Sequence, residues 1–211
     1  MALPEAVIGS QATPAVAARI PARIGLEQYY SEAGPDYAAW SPAFNMHFGY
    51  YRAGANPLNR EAMLEQMNAE VLGRLHVDGI FEPKLVDLGC GLGATLRSLA
   101  RRLPQARLLG VTRVPWQVEQ ARARNEAAGF GERISVLEGD YEDSSLLPSS
   151  GYDGVYALES SCHAHGADKG RLLAEMHRLL RPGGRLVVAD GFLANWPVPH
   201  PPAAAHLPEA V

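Results

Sequence analysis

The chain has 211 residues, 47% of them apolar, with a formal net charge of −4. That length builds one sizeable domain with a real core, and the balance is that of an ordinary soluble globular protein. It excludes a nucleic-acid partner held on a broad basic face, and no window approaches the roughly eighteen consecutive apolar residues of a membrane span.

Residues 1–22, rich in Ala and Pro, read as a mobile N-terminal tail without the basic-then-apolar order of a secretory signal. Residues 23–80 read as an aromatic-rich helical lid followed by a first helix. The lid is dense in Tyr29, Tyr30, Tyr37, Trp40, Phe44, Phe48, Tyr50 and Tyr51, and Gly34, Pro35, Pro42 and Gly49 break it into short pieces. The helix spans 59–76: Asn59 can cap it, and Leu64, Met67, Val71, Leu72 and Leu75 form one apolar stripe.

An alternation fills residues 81–192. Strands are predicted at 84–88, 107–111, 133–137, 153–158 and 185–190, and helices at 93–103, 115–128 and 168–180, the last with Asp168 as its cap. Strands separated by helices imply right-handed crossovers and a mostly parallel sheet with helices on both faces, an α/β Rossmann-like fold. Residues 193–211 hold Pro197, Pro199, Pro201, Pro202 and Pro208 and do not read as strands. The sheet therefore stops at five strands here, or the chain is a fragment of a longer one that supplies the last two. Two cysteines, Cys90 and Cys162, make no disulfide framework, so reduced thiols in a cytoplasmic setting are expected.

Ligands of such a sheet lie at the carboxyl ends of its strands. Candidate site residues are those that follow strands: Asp87 to Gly93, Thr112, Asp140, Glu159 to His163, and Asp190. The stretch "LVDLGCGLGATL" at 85–96 places glycines at 89, 91 and 93, where a helix begins. Such a turn brings bare backbone and a helix N-terminus against a ligand. Gly89-x-Gly91-x-x-Ala94 also matches a dinucleotide fingerprint, with Arg113 as a taker of a 2′-phosphate. Two isolated lysines offer no Tyr-x-x-x-Lys relay, however, and the strand comes after about 80 residues rather than at the start.

"VDLGCGLG", "GVT…WQVEQAR", "GDYED", "GYDGVYALES" and "LLRPGGRLVVAD", in that order, resemble the successive motifs of class I S-adenosylmethionine-dependent methyltransferases. "NMHFGYY" and "ALESSCHA" are similar to the small-molecule sterol, tocopherol and bacterial natural-product type. The resemblance covers residues 24–192. It implies S-adenosylmethionine as cofactor. Asp87 would orient the glycine turn, and Gly89, Cys90 and Gly91 would lie along the methionine part. Thr112 stands where an acid is common and would work with Gln117 on the ribose. Asp140 would accept from the adenine amino group, with Tyr141 beside the ring.

Methyl transfer needs position and electrostatics more than protein nucleophiles. Tyr29, Tyr30, Tyr50 and Tyr51 are candidate walls for a cation. His163 is the candidate base for a hydroxyl acceptor, paired with Asp190, and His47 on the lid is a second. For a carbon acceptor, Glu159 or a tyrosine would stabilise a cation instead. No metal is expected, since no Cys-x-x-Cys pair exists. The expected activity is methylation of a small molecule, at oxygen first and carbon second. An NADP oxidoreductase and a non-catalytic cofactor-binding scaffold stay open, as does a homo-oligomer.

Overall fold

The computed structural model describes residues 25–145 and 147–192; the expected tail and the Pro-rich segment lie outside them. Five strands form one sheet: β1 (Lys84–Leu88), β2 (Arg107–Thr112), β3 (Ile134–Glu138), β4 (Tyr152–Leu158) and β5 (Leu180–Ala189), in the order β3-β2-β1-β4-β5 and all parallel. β1 is central, its Asp87 paired with Gly110 on one side and Tyr156 on the other.

Alternate residues of each strand serve opposite faces. Leu85, Leu108, Val136, Tyr156 and Val187 pack under α3 (Arg60–Leu75), α4 (Ala94–Arg102) and α5 (Pro115–Ala127). Val86, Leu88, Val155 and Ala157 pack under α6 (Gly170–Leu179) and Tyr141. Helices cover both faces, as predicted, so successive residues of β1 from Leu85 to Leu88 are all buried.

The local signals hold where their chemistry is local. Asn59 Oδ1 accepts from Ala62 N at 3.1 Å and caps α3. Gly129, with φ 74°, follows the end of α5. Two starts differ by more than one residue. α6 starts at Gly170 behind Lys169, whose φ is 55°, and Asp168 accepts only from Gly170 N. β5 begins five residues early, at Leu180, because the "RPGG" segment stays in the strand as an irregularity with Gly183 at φ 80°.

The lid is two short helices, α1 (Leu26–Ala33) and α2 (Tyr37–Trp40), joined by a 3₁₀ turn, then an irregular segment up to α3. Trp116, at the start of α5, fills the space beside Gly34 and docks the lid on the sheet domain.

Candidate active site

The loops after β1, β2, β3 and β4 converge under the lid on a shared cavity. Asp87, Gly89, Cys90, Gly91, Thr112, Gln117, Asp140, Tyr141, Glu159 and His163 all line it, as do Tyr30 and His47 of the lid. Residues 70 positions and more apart in sequence meet because every parallel strand ends on the same edge.

Gly89, Gly91 and Gly93 all have positive φ, at 90°, 51° and 73°. The β2 carbonyl of Val111 accepts from both Gly89 N and Cys90 N and holds the turn. Among the described residues the Asp87 carboxylate makes no hydrogen bond to the turn, so it does not orient it as expected. Gly89 lines the cavity, and its lack of a side chain has a second consequence. A Cβ there would strike the Cβ of Ser160, whose hydroxyl donates to Leu88 O at 2.5 Å. Gly89 makes room for the loop after β4. At Gly91 the facing atom is Met46 Sδ of the lid, 3.1 Å from a built Cβ.

Asp87 is buried, and burial pushes its carboxyl up to about 7. The Tyr156 hydroxyl opposes that shift without the geometry of a hydrogen bond. A charge desolvated without a partner favours its neutral form until a cation arrives. Thr112 and Gln117 are both buried, and Thr112 Oγ1 donates to Gln117 Oε1 at 2.6 Å. Asp140 accepts from Glu142 N through Oδ1, while Arg113 stands 3.8 Å from Oδ2. That carboxylate makes the neighbourhood of Arg113 a poor seat for a 2′-phosphate. Tyr141 is buried and its hydroxyl donates to Ser160 O at 2.8 Å. An anion, bare turns, a buried hydroxyl–amide pair and a carboxylate beside a ring fit the parts of an adenosyl sulfonium.

The rim differs from expectation in three ways. His163 does not pair with Asp190; its Nε2 hydrogen-bonds the Tyr30 hydroxyl at 2.9 Å. Asp190 is spent on Ser161 Oγ at 2.6 Å and Cys162 N at 3.0 Å, so it anchors the start of the 3₁₀ turn that carries His163. Glu159, with φ 49°, sends the chain off β4 into that turn. Burial lowers the His163 pKa and raises that of Tyr30, so both are neutral near pH 7. Secondly, His47 is not a free base. Its Nδ1 contacts Phe48 O at 2.8 Å and its Nε2 contacts Asn68 Oδ1 at 3.0 Å, so both nitrogens are engaged by the protein. Thirdly, Tyr50 and Tyr51 are exposed and line no part of this cavity; Tyr29 only supports Tyr30 edge-on, 5.0 Å between ring centres.

Glu159 is placed as expected, on the wall, with Oε1 accepting from Phe48 N at 2.8 Å. Burial, then nearby Asp190, raises its pKa. Sequence reasoning missed Leu26, Phe44 and Met46, which the lid contributes. No local pattern marks them, because their role depends on where the lid lands. Among the described residues no cluster of His, Cys, Asp and Glu could hold a metal, and no helix is long and apolar enough to cross a membrane.

Residues 85–184 match the sequence model of a methyltransferase domain. A sterol 24-C-methyltransferase of Yarrowia lipolytica is 29% identical over 179 residues, covering 84% of this chain and 44% of that protein. An O-methyltransferase of Pyrenophora dematioidea is 35% identical over 164 residues, 76% of this chain and 58% of that protein. The chain spans about half the length of the curated relatives it matches. The fold is similar to that of geranyl diphosphate C-methyltransferase from Streptomyces coelicolor, solved with S-adenosyl-L-homocysteine. Its TM-score is 0.61 at 20% identity, over 73% of this chain and 58% of that one.

Proposed function

We propose that this chain, which belongs to the class I S-adenosylmethionine-dependent methyltransferases, methylates a hydroxyl oxygen of a small-molecule acceptor in secondary metabolism. The observation that carries the oxygen is the His163–Tyr30 pair on the cavity wall. When bound, S-adenosylmethionine supplies an electrophilic methyl group. The chain's own groups bind, orient and move a proton. Asp87 would take the cationic end, Thr112 and Gln117 the ribose hydroxyls, and Asp140 the adenine amino group, with Tyr141 beside it. With His163 Nε2–H donating to the Tyr30 hydroxyl oxygen, Nδ1 keeps its lone pair and receives the acceptor's proton. The lid walls exclude water from the reacting atoms.

Carbon methylation is the second reading. Glu159 on the same wall supports it, as does the likeness to a sterol 24-C-methyltransferase. Calorimetry with S-adenosylmethionine and with NADP tests the cofactor: micromolar binding of the first and none of the second is expected, and the reverse would overturn the reading. Single-turnover rates of His163→Ala with the acceptor then separate the two atoms. A loss of roughly 10²–10⁴-fold supports oxygen; a rate near wild type, with a large loss in Glu159→Gln, supports carbon.

A further inference from the structure

Phe44 is a non-glycine residue in the left-handed region, with φ 61°, and it lines the cavity. Such backbone persists only where the surroundings over-determine it. Two arginines from different helices do so. Arg97 of α4 reaches across with Nη2 to donate to Ala43 O at 3.0 Å. Its Nη1 donates to Leu92 O in the glycine turn at 2.6 Å and to Asn125 Oδ1 at 3.1 Å. The guanidinium of Arg124, on α5, lies 3.8 Å from the centre of the Phe44 ring.

This arrangement is costly. Arg97 is only 8% exposed and forms no ion pair among the described residues. Burial, then the cations Arg124 and Arg101, lower its pKa to about 10. Arg124 Nε is buried and has no hydrogen-bond partner among the described residues. A buried cation such as Arg97, held only by carbonyl and amide oxygens, is a poor way to stabilise a core, where an apolar side chain would serve. Its geometry does something else: it ties the lid to the turn that faces the cofactor.

We propose that Arg97 and Arg124 are positioning residues that clamp the lid at Ala43 and Phe44 against the glycine turn, so that Phe44 forms a wall of the cofactor cavity before the cofactor binds. This rests on the assignment of that cavity to S-adenosylmethionine. Without the clamp the closed lid must be recruited by the cofactor, and its apparent affinity falls by the fraction of lid that is closed.

The test uses the full chain with Arg97→Met, Arg97→Lys, Arg124→Met, Phe44→Ala and the Arg124→Met/Phe44→Ala double variant. S-adenosylmethionine affinity is read by calorimetry, and ligand-free hydrogen exchange is read over residues 41–48. Arg97→Met and Arg124→Met should each weaken binding by about 10-fold, as for a closed fraction reduced to a tenth. Lysine at 97 should recover part of that loss. The double variant should be no worse than Phe44→Ala, because both changes remove one device. Asn59→Ala, which lowers stability away from the site, should leave affinity within about twofold. If the 97 variants do not fold, the 124 and 44 variants decide alone. Exchange over 41–48 should quicken in Arg124→Met with no cofactor present, so the clamp is tested even if wild type binds another nucleotide. Unchanged exchange, affinity within about twofold of wild type, or additive losses in the double variant would overturn the proposal.

Discussion

His163 and Tyr30 come from positions 133 residues apart and share one hydrogen bond. Burial lowers the histidine's pKa below its ordinary 6.5, and the proton must be off for it to act as a base. The rate of the oxygen reaction should therefore rise with pH through a value below 6.5 and be flat by neutrality; His163→Ala should lose that limb. Tyr30→Phe keeps the ring and removes the hydrogen bond, worth about 0.5–1.5 kcal/mol, so it should slow turnover by roughly 3–10-fold. A histidine limb centred well above 7 would contradict the buried setting. Glycine positions give a second test at this scale. Gly89→Ala adds a left-handed alanine that strikes Ser160, so it should cost roughly 3 kcal/mol or more in denaturant unfolding. Gly91→Ala meets only the flexible end of Met46, so it should cost about 1–2 kcal/mol and perturb the lid. Equal losses at the two positions would show that strain, rather than the neighbour, sets the cost.

At the scale of elements, the β2–α5 connection is the unit that presents Thr112 and Gln117. Thr112 ends the strand, Pro115 starts the helix, and the Thr112 hydroxyl spans the joint to Gln117 Oε1 and accepts from Val114 N at 3.3 Å. That geometry suits the proposed ribose contact and also braces the strand–helix joint, so the two roles must be separated. The Thr112→Ala, Gln117→Ala double variant should weaken S-adenosylmethionine binding by about 1–3 kcal/mol, the loss for two hydrogen bonds to buried hydroxyls. Binding of 5′-methylthio-2′-deoxyadenosine, set against its ribo form, should discriminate less in the variant than in wild type. Unchanged discrimination would assign the pair to the helix joint alone. The lid is anchored by another polar set. Asn68 of α3 meets His47, Asn45 and Thr95 of α4, which explains why a histidine that resembles a base in sequence is held as a strut.

Across the whole molecule the sheet's centre carries an electrostatic cost. Asp87 sits on the middle strand with its carboxyl near 7, against 3.8 for an exposed aspartate. Between those values the native state keeps a proton that the unfolded chain releases, so stability falls as pH rises across that window. The fall is on the order of 4 kcal/mol, at 1.36 kcal/mol per pKa unit. Below about pH 4 both states are protonated and the cost vanishes; above about pH 7 it is present in full. Asp87→Asn should flatten that part of the curve in denaturant titrations from pH 4 to 8, and should bind a cationic cofactor less well. Parallel curves for the two proteins would show that Asp87 is ionised in the native state throughout.

Much of this protein is written in short stretches of its sequence. Apolar runs of five or six residues, helices of helical period, the cap at Asn59 and the glycines at 89, 91 and 93 act over a few residues, and they specified an α/β sheet with its candidate loops on one edge. A parallel sheet puts every strand end on the same side, so the cavity membership of Asp87, Thr112, Asp140, Glu159 and His163 followed from chain order, while Gln117 came from the family resemblance and Asp190, also at a strand end, lies off the cavity. Partnership did not. That His163 meets Tyr30 and not Asp190, that Gly89 yields to Ser160, that His47 is a strut and that Phe44 is clamped by two arginines all depend on the paths of the lid and of the loop after β4. Those paths are settled by docking between segments far apart in the chain. No local period or spacing encodes such contacts, because their energy is gained only when both surfaces are already built.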